Sequence, residues 1–79
     1  MQYIQELILD ENNVAFHPTM GNSYQLNATA KDIIHLLKVH KTKEEIIEEL
    51  AERYGVAKKE LYIDVNDFFN KLKIYGLLS

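Results

Sequence analysis

The chain has 79 residues, 47% hydrophobic and 27% charged, which is one small domain of ordinary globular composition. A domain this small buries only roughly 60–65% of the surface it exposes when unfolded, leaving no packing to spare around a deep catalytic cavity. With no cysteine there is no disulfide, thiolate metal site or thiol nucleophile, and 9 basic against 12 acidic residues, net charge -3, is the wrong sign for tracking a phosphate backbone.

The first residues carry no basic segment of a secretory signal, and no apolar run reaches the roughly 18–20 residues of a membrane span. The expectation is a cytoplasmic protein that engages neither membrane nor nucleic acid. Residues 3–9, Tyr-Ile-Gln-Glu-Leu-Ile-Leu, read as a strand, and Asp10, Glu11, Asn12 and Asn13 supply turn chemistry. Val14 and Phe16 then share one face of a second strand. Pro18 ends that strand near His17, because it cannot donate to a ladder, and Gly21 and Asn22 turn the chain into a third strand at residues 23–26. There Tyr24 and Leu26 share the inward face.

Asn27 is placed to cap a helix striped by Ala30, Ile33, Ile34 and Leu37 that runs to about Val39. Thr42 and Glu45 form a capping box for a second helix striped by Ile46, Ile47, Leu50, Ala51 and Tyr54, closed by Gly55. A third and longest helix starts near Lys58 and ends at Ile74 or Tyr75, where Gly76 offers a left-handed cap and Leu77 and Leu78 fold back on the core. Leu61, Val65, Phe68 and Leu72 form its apolar stripe. Tyr62 and Phe69 widen that stripe on one flank, which leads to Asn66, Asn70 and Lys73. The predicted order is an α+β fold, winged-helix-like, with an N-terminal three-stranded antiparallel sheet followed by three helices in a single domain over residues 1–79.

Catalytic equipment is missing from this pattern. His17, His35 and His40 lack the spacing that points two ligands at one ion, Glu44, Glu45, Glu48, Glu49 and Glu52 crowd the solvated side of the second helix, and the glycines form no phosphate-binding loop. The expectation is no catalytic residue, no metal and no cofactor. A DNA-binding domain is the alternative, since Lys58, Lys59, Asn66 and Asn70 lie on the third helix, but the one arginine, Arg53, sits on the acidic second helix. A purely structural subunit is a third reading. What remains is the strand Ser23, Tyr24, Gln25 and Leu26, which has no charge, proline or glycine to blunt it as an edge and so is a template for an incoming strand, unless a neighbouring element hides it.

The run at residues 23–30, Ser-Tyr-Gln-Leu-Asn-Ala-Thr-Ala, followed by Ile33, Ile34, Leu37, Ile46, Ile47, Leu50, Tyr54-Gly55-Val56, Asp64-Val65, Phe68, Leu72 and Gly76-Leu77-Leu78, resembles the PqqD-like family. These are peptide-recognition elements of ribosomally made, modified peptide pathways, named after the pyrroloquinoline quinone chaperone. The resemblance covers roughly residues 14–78. It departs at residues 39–42, Val-His-Lys-Thr, where the family usually has an acidic-Gly turn, and before Tyr24, where a basic residue is often found. It implies a noncatalytic adaptor that binds the leader segment of a precursor peptide as an added strand. The adaptor would present that peptide to a separate enzyme, a radical S-adenosylmethionine enzyme or a leader peptidase.

On this reading the guest lies beside Ser23, Tyr24, Gln25 and Leu26, and Tyr62, Val65, Asn66, Phe69, Asn70 and Lys73 supply the opposite wall. Periodicity leaves the other flank of the third helix, through Asp64, Asp67 and Lys71, open. Asp64 is expected to be structural, accepting from free helix N–H groups or a neighbouring side chain. Ile63 and Ile74 project away from the core stripe as a surface for the modifying enzyme; a homodimer would bury the same pair.

Overall fold

The computed structural model describes residues 3–78. The chain opens not as a strand but as a 3-10 turn, Tyr3–Glu6, and only Ile8–Leu9 (β1) is extended. The cause is spacing: Ile4 and Leu7 are both fully buried, and a turn of three residues puts positions i and i+3 on one face where a strand would split them. The Ile4 amide donates to the Leu77 carbonyl at 3.0 Å, tying the two ends of the domain together.

Asp10 makes the hairpin turn by accepting from the amides of Asn12 (2.9 Å) and Val14 (3.0 Å), with Asn13 in the left-handed region. Val14–Phe16 (β2) pairs antiparallel with β1 and with Ser23–Gln25 (β3), giving the order β1-β2-β3. Ala15 is the buried residue of β2 and lies opposite Tyr24, so Val14 and Phe16 share the outer face while Tyr24 and Leu26 turn inward. His17 follows on the inner face, fully buried. Its Nδ1 accepts from the Met20 amide at 3.1 Å and fixes the Pro18 turn; its Nε2 stands 3.4 Å from the Glu6 carboxylate without hydrogen-bond alignment.

Three helices complete the fold: Ala28–Lys38 (α1), Lys43–Tyr54 (α2) and Lys58–Ile74 (α3). The Asn27 side chain caps α1 through the Ala30 amide at 2.8 Å, and both halves of the Thr42–Glu45 capping box are formed. Tyr54 is not a core residue: it is partly exposed, and its hydroxyl donates to the Asp32 carboxylate, linking α2 to α1. α1 sends adjacent side chains into two cores. Ile33 joins Ile46, Leu50, Leu61 and Val65 in a helical cluster, while Ile34 joins Ile4, Leu7, Ala15, Leu72 and Leu77 in a cluster beneath the sheet. Leu37 and Phe68 pack against both.

All three helices end through the same backbone closure, a 6-to-1 bond from Lys41 to Leu36, Val56 to Ala51, and Leu77 to Leu72. The left-handed residue is glycine at Gly55 and Gly76 but histidine at His40, with φ 66. An L side chain is strained there, so His40→Gly is expected to stabilise the fold by about 1 kcal/mol in urea denaturation. Thr42→Ala is expected to destabilise it by about 1 kcal/mol through loss of the cap. The Glu45 carboxyl is held below its ordinary range, first by the Thr42 backbone N–H, then by the Thr42 hydroxyl and by Lys41. A carboxylate with a lowered folded value stabilises above its unfolded pKa and loses that contribution as pH falls through the folded value, so the Thr42→Ala deficit should narrow on acidification.

Candidate functional site

β3 is an edge of the sheet, and the ladder decides which of its backbone groups are free. The Leu26 amide donates to the Asn13 carbonyl at 2.7 Å and the His17 amide to the Asn22 carbonyl at 2.9 Å. Hydrogen-bonded pairs alternate along an antiparallel ladder, so Ala15–Tyr24 between them is also such a pair, and the N–H and C=O groups of Ser23 and Gln25 point outward. Among the described residues no strand pairs with that edge. The opposite edge is poorer, since β1 has two residues and the neighbouring Leu7 carbonyl accepts from Lys38 Nζ.

Beside β3 runs a groove whose other wall is α3. Its upper part, a hollow of about 350 Å³, lies between β3 and Phe68, Lys71 and Tyr75; its lower part, about 320 Å³, continues between the start of α1 and Asp64, Asp67 and Lys71. Asn27, Ala30, Phe68 and Lys71 line both parts, so the two form one channel. Tyr24 and Tyr75 stack at 4.7 Å between ring centroids and close the gap between β3 and the C-terminal end of α3. Asp64, Asp67 and Lys71 make no ion pair or side-chain hydrogen bond among the described residues. Asp64 is exposed on the groove wall, a full turn beyond the free N–H groups of α3, so the structural role expected for it has no partner here.

Ser23, Tyr24, Gln25 and Leu26 all line this groove, whereas the helix flank expected to face them does not. Val65 is fully buried between helices. Tyr62 and Asn66 face α2, where Lys43 Nζ donates to Asn66 Oδ1 at 2.9 Å and lies over the Tyr62 ring. Phe69 and Lys73 border a separate cleft near the α1–α2 turn, and Asn70 is exposed beyond it. Burial of Leu61, Val65 and Leu72 sets the rotation of α3, and that rotation turns the Asp64, Asp67 and Lys71 flank toward β3. The only signal in the sequence was the charged spacing of those three residues, which periodicity ranks equally with the aromatic flank. Ile63 and Ile74 are 59% and 81% exposed, on the outer side of α3. No group of three or more His, Asp or Glu that could hold a metal ion occurs among the described residues, and no helix there is long and apolar enough to cross a membrane.

An α+β domain with a free sheet edge set across a groove from its longest helix is the class these residues define. Residues 12–78 match the family model described as coenzyme PQQ synthesis protein D (PqqD), and the chain belongs to that family. No curated protein and no solved structure matches it.

Two measurements check this geometry. In the free protein the Ser23 and Gln25 amides should exchange with solvent faster than those of Tyr24 and Leu26, read by hydrogen exchange; equal protection would mean a different register. Phe68→Ala should destabilise by about 2–4 kcal/mol because it opens both cores, whereas Phe68→Leu should cost less than about 1.5 kcal/mol and reshape mainly the groove floor.

Proposed function

We propose that this protein is a noncatalytic, cytoplasmic adaptor that binds the leader segment of a ribosomal precursor peptide as a fourth strand along β3. It then presents that peptide to a separate modifying enzyme, a radical S-adenosylmethionine enzyme or a leader peptidase. The observation that carries this reading is the outward-facing backbone of Ser23 and Gln25 beside an open groove floored by Phe68. Membership of the PqqD family supports it. Main-chain pairing supplies affinity that depends little on the guest's sequence, and alternate guest side chains enter the groove for selectivity. The second wall is Asp64, Asp67, Phe68, Lys71 and Tyr75, so a basic guest residue suits the lower end and an acidic one the neighbourhood of Lys71.

Ile63 and Ile74 are exposed and do not line this groove, and they would give a modifying enzyme apolar contact outside it. Replacing both by Lys should weaken enzyme pull-down while leaving peptide affinity unchanged; conversion of a dimer to a monomer instead would assign the pair to self-association.

The direct test uses precursor peptides encoded beside the gene, added to the full chain. Binding should protect the Ser23 and Gln25 amides from exchange. Gln25→Pro removes one outward donor and leaves the ladder to β2 intact, so it should fold normally and bind about two- to tenfold more weakly, the worth of one hydrogen bond. Asp64→Lys with Asp67→Lys should reduce affinity for a guest with a basic residue at that end by about two- to fivefold per pair, with only shallow salt dependence in the remainder. Unchanged exchange at Ser23 and Gln25 on binding, or a steep salt slope with oligonucleotides and none with peptide, would reject the adaptor reading.

A further inference from the structure

A second cleft, of about 410 Å³, lies on the side of α3 away from β3, between the opening 3-10 turn, the α1–α2 connection and the C-terminal half of α3. Its floor is apolar, formed by Leu37, Phe69 and Leu78, and its rim carries Lys41, Lys43 and Lys73. Three of the chain's nine basic residues therefore surround one apolar hollow in a protein whose net charge is -3. Among the described residues Glu45 lies beside them; its carboxylate accepts from the Thr42 amide at 2.9 Å and is also drawn on by Lys41, at longer range than an ion pair. Lys41 and Lys73 have no ion pair among the described residues, and Lys43 is held by Asn66 and the face of the Tyr62 ring, partners that carry no negative charge.

His40 also lines the cleft, in the left-handed position that glycine fills at the other two helix ends. Ile4 and Gln5 supply part of its wall and lie before residue 12, where the family match begins. The cleft is thus a feature of this chain separate from the β3 groove.

We propose that this cleft receives an acidic segment of a partner protein, with one apolar side chain seated on Leu37 and Phe69 and carboxylates paired with Lys41, Lys43 and Lys73. Charge complementarity selects the occupant: a concave apolar floor ringed by lysines excludes a basic or neutral helix and favours carboxylates around a hydrophobic anchor. A phosphate backbone would use the lysines but leave the apolar floor without a partner, and the acidic α2 adjoining the rim would repel a long polyanion. The site lies across α3 from the proposed leader groove, so the adaptor would hold peptide and partner on opposite flanks of one helix.

The test titrates the isotope-labelled full chain with a synthetic peptide in which a single leucine is flanked by aspartates and glutamates. Amide shifts should concentrate at Leu37, His40, Lys41, Lys43, Phe69 and Lys73 and leave Ser23 and Gln25 unmoved. Lys41→Gln and Lys73→Gln should each weaken binding by about two- to fivefold, and replacing the leucine by serine should weaken it further at constant charge. Shifts confined to the β3 groove, indifference to both lysine changes, or equal binding by an oligothymidylate of the same charge would overturn the proposal. So would a rise in mass without peptide that Lys41→Gln and Lys73→Gln abolish, since a second copy would then be the occupant. Because the readout residues of the two sites do not overlap, failure here is distinct from failure of leader binding at β3.

Discussion

Phe68 packs against the helical core and the sheet-side core at once, and its remaining face is the floor of the groove beside β3. The domain is too small to hold one large core, so α1 divides its neighbouring isoleucines between two small ones, and a ring spanning them keeps the sheet in fixed relation to α3. The width of the groove follows from that distance. The groove is therefore a by-product of packing, opened where the two small cores meet α3.

Charge is arranged around the same helix. One flank of α3 presents Asp64, Asp67 and Lys71 to the sheet edge, the other brings Lys73 and Phe69 to a cleft shared with Lys41 and Lys43, and the outer side carries Ile63 and Ile74. A single helix of 17 residues can serve three surfaces because only about a third of its circumference is needed for burial. The β3 groove, the second cleft and the outer face are thus kept apart by the width of one helix.

Helix boundaries were legible from local chemistry. Asn27, the Thr42–Glu45 box, Gly55 and Gly76 each satisfy backbone groups within a few residues of themselves, so their roles need no knowledge of the rest of the fold. The sequence also showed that the β3 strand carries no charge or proline to blunt it, although not whether a neighbour covers it, and the exposure of Ile63 and Ile74 follows from helical angle alone.

Tertiary contacts settled the rest. Residues 3–9 are apolar enough for a strand, but the demand that Ile4 and Leu7 both reach Leu77 curled the first four into a 3-10 turn. The two flanks of α3 are equivalent by periodicity; the burial of Leu61, Val65 and Leu72 against elements distant in sequence chose Asp64, Asp67 and Lys71 to face β3 and left Tyr62, Asn66 and Phe69 on the far side. Caps and turns are written over three or four residues and can be read there. The rotation of a helix and the partner of a groove depend on contacts between residues tens of positions apart, which no local pattern records.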